Sequence, residues 1–200
     1  MKIIVVGGTG TLGKVVVSKL EKNHDVIAVG RNTKISVDIT DHNSIRAMYE
    51  KIGKFDALVS TTGKVSFKPL QELSHEDFNL GLQNKLMGQV QLVTEGLKYI
   101  KLGGSFTLTT GILNEEPILG GVSAAMVNGA IEGFVKAASL EMIKNNARIN
   151  VVSPSVITEA LGVYADFFKG FESVGASTIA NAFVKSIEGI ETGKVYKVGF

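Results

Sequence analysis

The sequence predicts an α/β fold: a doubly wound parallel sheet of about seven strands flanked by helices, in one domain spanning residues 1–200. Three observations predict it. Short β-branched runs alternate with longer segments of helical period, which is the pattern of successive βαβ units. The first such run meets a glycine-rich turn that opens directly into a helical period. The chain has 200 residues, 44% of them hydrophobic, enough for one sizeable core and too few for a second full domain.

The elements follow in order. Lys2–Val6 (KIIVV) reads as a buried strand, and residues 11–22 as a helix with Leu12, Val15, Val16 and Leu20 on one face. Asp25–Val29 is the second strand, and residues 35–39 a short third. Asp41 caps a helix to about residue 51 that turns Ile45 and Met48 inward. Phe55–Ser60 is the fourth strand. A long helix over residues 76–100 follows, stopped by Gly103-Gly104, and residues 105–110 form the fifth strand. Gly120-Gly121 opens a second long helix over residues 121–144, which leads to a sixth strand at 148–153. Residues 156–190 read as one or two helices with a phenylalanine-rich turn, and residues 194–198 as the last strand.

Composition excludes several function classes. Cysteine is absent, which rules out disulfides, zinc ribbons and a thiol nucleophile and fits a reducing, cytoplasmic setting. The net charge is +2 with no basic run, so a nucleic-acid surface is not indicated. The longest uncharged stretch, residues 117–131, is broken by glycines and falls short of the roughly 18 apolar residues of a spanning helix. The apolar run at the N-terminus is too brief for a signal sequence. His24, His42 and His75 are scattered, so no metal site is expected.

The strongest motif is Gly7-Gly8-Thr9-Gly10-Thr11-Leu12-Gly13, between a predicted strand and a predicted helix. In that context glycines let the backbone turn tightly and approach a pyrophosphate, which sits on the free N–H groups of the helix. The candidate contacts are Gly7, Thr9, Gly10, Thr11, Leu12 and Gly13. At the end of the second strand an acidic residue would bind the ribose 2′-hydroxyl of NAD(H). Here Gly30-Arg31-Asn32 stands instead, and Arg31 with Asn32 suits a 2′-phosphate. The cofactor expected is NADP(H) rather than NAD(H). A solvated loop cation is the competing reading of Arg31.

From these motifs onward the chain resembles the short-chain dehydrogenase/reductase family, almost end to end. Val37-Asp38-Ile39-Thr40 resembles the family's Asp-Val-Thr segment, which implies that Asp38 and Ile39 meet the adenine. Ser60-Thr61-Thr62-Gly63 stands where the family has Asn-Asn-Ala-Gly, which places Thr62 and Gly63 on the cofactor. Asn84-Lys85-Leu86-Met87-Gly88 resembles the Asn-x-x-x-Gly segment, so Asn84 matches the catalytic Asn. Residues 104–111 match the strand ending at the catalytic Ser, whose position falls on Thr110 or Thr109. Ser153-Pro154-Ser155 resembles the turn beside the nicotinamide, and residues 192–198 the closing strand. The resemblance implies a Rossmann-type sheet in the order 3-2-1-4-5-6-7.

The resemblance breaks on the fifth helix. Residues 129–136 align with the stretch after the family's Tyr-x-x-x-Lys pair, which puts Ala124 at the Tyr position and Asn128 at the Lys position. Ala124 has no proton to give, and Asn128 keeps only a hydrogen bond to the cofactor ribose. General acid–base help is worth about 10²–10⁴ in rate, so a substitute is expected. The candidate catalytic set is Thr110, Asn84 and Lys85, with a surface lysine as the bland reading of Lys85. Glu159 replaces the Thr that touches the carboxamide in the family, with Thr158 one place early. Tyr164, Phe167, Phe168 and Phe171 form an apolar cover over the pocket or simply pack a short helix.

The expected activity is NADP(H)-dependent hydride transfer to or from a small carbonyl or alcohol. The alternative is a catalytically silent NADP(H)-binding sensor. The resemblance also implies a homodimer or homotetramer through residues 76–100 and 121–144.

Overall fold

The β-branched runs pair into one parallel sheet. A computed structural model describing Met1–Phe200 orders its six strands β2-β1-β3-β4-β5-β6. They are β1 (Lys2–Val6), β2 (Asp25–Val29), β3 (Phe55–Ser60), β4 (Ile100–Thr109), β5 (Arg148–Pro154) and β6 (Val195–Val198). Strand side chains alternate between two cores. Ile4 and Val6 face one side, under α2 (His42–Ile52), α4 (Gly88–Gly96) and α5 (Val122–Met142). Ile3 and Val5 face the other, under α1 (Thr11–Leu20) and α7 (Ala176–Glu188). Helices on both faces explain why Ile3–Val6 of β1 and Ala57–Val59 of β3 are continuous apolar runs.

Local signals set the ends of two helices. The Asp41 side chain accepts from Asn43 N at 2.9 Å and caps α2, which buries Ile45, Met48, Tyr49 and Ile52 along one face. Ser74 and Asp77 close a capping box on α3 (His75–Asn79). No helix is long and apolar enough to cross a membrane.

The strand expected at residues 35–39 does not form, so the sheet has six strands and not seven. Only an isolated bridge, Gly30 to Ser36, remains. The reason is chain length. A parallel neighbour needs a crossover of about a dozen residues, and only Gly30–Lys34 separate the two runs. Thr33 instead folds this connection on itself. Its hydroxyl accepts from Gly30 N at 2.9 Å and lies 2.6 Å from the Ile35 carbonyl.

The helix expected over residues 76–100 also differs. It runs as α3, a π-helical stretch over Leu80–Met87, and α4, and it ends at Gly96. Residues from Ile100 already belong to β4. Gly103-Gly104 lie inside that strand, where its register against β3 jumps from Phe55↔Ile100 to Ala57↔Ser105. They shape a bulge rather than stop a helix. A four-residue helix, α6 (Leu161–Tyr164), sits in the segment between β5 and α7.

Candidate active site

β1 has β2 on one side and β3 on the other, so the strand order reverses at its C-terminal end. A cleft of about 550 Å³ opens there. Gly7, Thr9, Gly10, Arg31, Asp38, Ile39, Thr62, Gly63 and Asn84 all line it. Gly7 holds φ 83°, and a Cβ on it would come within 2.6 Å of the Thr62 methyl. Gly13 packs against the Gly7 carbonyl and brings α1 onto the turn. Gly10 ends the turn as the N-cap of α1 and provides no side-chain cap. The first N–H groups of this helix therefore face the cleft without a capping side chain, which suits an anion. A glycine cradle closed to any Cβ and an uncapped ten-residue helix fit a dinucleotide.

Other members of the expected set stand further back. Thr11 is exposed at the start of α1, while Leu12 and Gly13 are buried, with Leu12 in the core beside α7. Leu12 and Gly13 can offer only their backbone N–H groups to a ligand at this turn. Asn32 is exposed on the loop after β2 and is not part of the cleft wall.

Arg31 stands on the cleft rim, exposed, at the end of β2. Asp38 faces the same cleft. Its carboxylate accepts from the Thr40 hydroxyl at 2.7 Å and the Thr40 N–H at 2.9 Å. Those two bonds, with a smaller pull from Arg31, hold its pKa below the ordinary carboxylate value. The rim thus carries a fixed anion beside a free guanidinium.

A second pocket of about 190 Å³ continues past Gly63, which lines both. Val65, Phe67, Leu113, Ala124, Tyr164 and Phe168 make its apolar walls, and Pro154 adjoins them from the end of β5. Its polar floor is Lys85, Thr110 and Asn128. Lys85 leaves the π-helical stretch and donates to Asn128 Oδ1 at 2.8 Å and to the Thr110 carbonyl at 3.3 Å. Asn128 is fixed in turn, since its amide donates to the Gly111 carbonyl at 3.0 Å. One edge of Lys85 stays on the pocket, while the protein packed round its ammonium desolvates the charge and lowers its pKa to about 8. Asn84, the preceding residue, looks the other way: its Oδ1 accepts from Lys64 N at 2.8 Å at the edge of the cleft.

A family model described as enoyl-(acyl carrier protein) reductase matches residues 11–195. The chain belongs to the short-chain dehydrogenase/reductase family. It is similar to the protein lin1944 from Listeria innocua, whose crystal structure is 47% identical with a TM-score of 0.96, each chain covered over 98%. A small-chain dehydrogenase crystallised with NADPH is 29% identical with a TM-score of 0.89, over 99% of this chain and 96% of that one. Hydroxynaphthalene reductase arp2 of Aspergillus fumigatus is 26% identical over 71% of this chain and 52% of its own length. The chain spans about half the length of most of the curated relatives it matches.

Within this family the floor of the pocket is the point of interest. Ala124 and Asn128, one turn apart on α5, both face it. The Thr110 hydroxyl donates to Glu132 Oε1 at 3.2 Å, behind the floor, so its proton points away from the pocket. Thr109 is likewise committed, to the Ser60 carbonyl at 2.6 Å. Glu159 turns from the pocket and accepts from Ala176 N at 3.0 and 3.1 Å, capping α7. Three residues escaped the sequence reading. Gln89 grips both backbone groups of Thr109 at 2.9 Å and sets the end of β4. Its spacing of four from Lys85 was the available signal. Glu132 is four residues beyond Asn128 on α5, so the same helical spacing could have found it. Phe67 had none, because it lies in a segment without period.

Proposed function

We propose that the protein is an NADP(H)-dependent oxidoreductase that moves hydride between the nicotinamide and a small carbonyl or alcohol. Its acid–base set is non-standard and centres on Lys85. One observation carries this reading: an ammonium fixed by Asn128 and the Thr110 carbonyl stands where the dinucleotide cleft meets the apolar pocket. The NADPH complex of a family member with the same fold supports the cofactor. Gly7, Gly10 and the start of α1 hold the pyrophosphate, and Arg31 pairs with the 2′-phosphate.

The cofactor, when bound, supplies the hydride. The chain supplies the proton. Two N–H groups of Lys85 are used by Asn128 and Thr110, and the third is left for the substrate oxygen. On reduction that proton passes from Nζ to the oxygen as hydride reaches the carbon, giving the alcohol, and the neutral amine recovers a proton from water. A pKa of about 8 suits an acid working near neutral pH. Thr110 and Asn84 position this group and the cleft edge; neither hydroxyl nor amide is the acid.

The silent-sensor reading draws on Ala124, which leaves the pocket wall without an acid on α5. Turnover separates the two. Calorimetric titration with NADPH and NADH comes first, followed by NADPH oxidation over a set of ketones and aldehydes. Binding with turnover that Lys85→Ala abolishes is the expected result. Binding without turnover on any carbonyl favours the sensor, and no binding of either nucleotide overturns both. A homodimer through α4 and α5 in a reducing cytoplasm completes the proposal.

A further inference from the structure

The pocket past Gly63 has a definite chemical character. It is roofed by a run of rings that touch in series. Phe67 lies 5.5 Å from Tyr164 and 5.2 Å from Phe167, Tyr164 lies 6.5 Å from Phe168, and Phe168 lies 5.5 Å from Phe171. All four pairs are tilted or edge-on, the arrangement that leaves ring faces and edges for one more ring. Of these five rings Phe67, Tyr164 and Phe168 line the pocket; Tyr164 and Phe168 come from one segment and Phe67 from another, so the roof closes from both sides. Phe67 is held firmly: its neighbours Ser66 and Lys68 both bind the Asp77 carboxylate, at 2.8 and 2.7 Å.

The floor offers little besides Lys85. No carboxylate lines the pocket. Glu159, Glu115 and Glu132, each within four residues of the lining, are spent on α7, on Lys197 and on Thr110. A polyol or sugar needs several fixed polar partners, and their absence makes its desolvation costly. Ala124 leaves open space beside the ammonium that a ring substituent can fill.

We infer that this pocket takes an uncharged carbonyl compound bearing an aromatic ring, with the ring among Phe67, Tyr164 and Phe168 and the oxygen on Lys85. This inference rests on the hydride-transfer reading for the role of the oxygen, but its test is separable.

The test is ligand-observed NMR on the full chain with saturating NADP⁺ and, in parallel, without nucleotide. The probes are acetophenone, methyl cyclohexyl ketone and dihydroxyacetone. Acetophenone is expected to bind most tightly, about 3–10-fold ahead of the saturated ring, as aromatic contacts predict. Dihydroxyacetone is expected to show no saturation transfer. Phe67→Leu and Phe168→Leu, on separate segments, keep apolar volume and should each weaken acetophenone several-fold while NADPH affinity stays unchanged. Dihydroxyacetone binding as well as acetophenone, or both variants binding acetophenone like the parent, overturns the inference. Acetophenone binding with no NADPH oxidation on any carbonyl keeps the substrate class and overturns the oxidoreductase reading.

Discussion

Lys85 carries the greatest chemical weight of any single residue. Its ammonium is desolvated, its pKa falls to about 8, and its two partners are neutral acceptors. Carbonyl reduction should therefore decline as pH rises through about 8, where the proton is lost. Lys85→Met should lower kcat by about 10²–10⁴ and flatten that profile. The same shift has a consequence for stability. An unfolded lysine keeps its proton to about pH 10.4, so between 8 and 10.4 the unfolded chain binds more protons than the folded one. Stability relative to Lys85→Met then rises with pH across that window, by about 2 kcal/mol between pH 8 and 10. Urea melts of both proteins at the two pH values measure it, and an equal response in the two removes the assignment. Arg31 acts on a different property. Arg31→Ala should cost about 1.5–3 kcal/mol of NADPH affinity, as for a hydrogen bond to a charged group. NADH binding, which offers no 2′-phosphate, should be unchanged by calorimetry.

At the scale of elements, the segment between β3 and α3 shows how a remote charge shapes a binding wall. Asp77 accepts from Ser66, Lys68 and Ser74, and the Lys68 bond above all drives its pKa well below the ordinary range. It is fully ionised at neutral pH and pins Phe67 between two of its partners. Asp77→Asn should raise KM for an aromatic ketone several-fold with kcat nearly unchanged, because Asp77 bonds to the residues on either side of Phe67 and shares no partner with Lys85. A fall in kcat at constant KM would contradict this positioning role. Much at this scale was legible in sequence. Lys2–Val6, the Gly7–Gly13 turn and the Asp41 cap each rest on local chemistry, and each stands where expected. What misled was arithmetic over distance. Residues 35–39 have strand composition, yet five linking residues cannot make a parallel crossover. Gly103-Gly104 look like a helix stop, yet the partner strand turns them into a bulge. Lys85 stands in the candidate catalytic set with a surface cation as the competing reading, and its bond to Asn128, made from the π-helical stretch, is a contact the sequence alone does not give. Side-chain direction of that kind depends on tertiary packing.

The whole molecule leaves one face unexplained by its own core. On α5, Val122, Met126, Gly129, Ala130, Gly133, Ala137 and Leu140 are exposed at spacings of three and four, an apolar stripe along most of the helix. Leu140 is 71% exposed and Met126 41%, while a Cβ on Gly133 would meet nothing within 4 Å. A monomer gains nothing from leaving this stripe in water, since burial of apolar area is worth roughly 25 cal/mol per Å². Small residues at its centre let a second helix approach closely, and a two-fold axis across α5 would bury the stripe against itself. The protein should therefore elute at twice the 21.3 kDa of one chain. Met126→Glu places two like charges near that axis and should shift the species to monomer at micromolar concentration. Its melting temperature should then fall and lose its dependence on protein concentration. NADPH affinity should survive, because the cleft at β1 shares no residue with this stripe. A parent protein that sediments as a monomer at high concentration would refute the dimer while leaving the cofactor site intact.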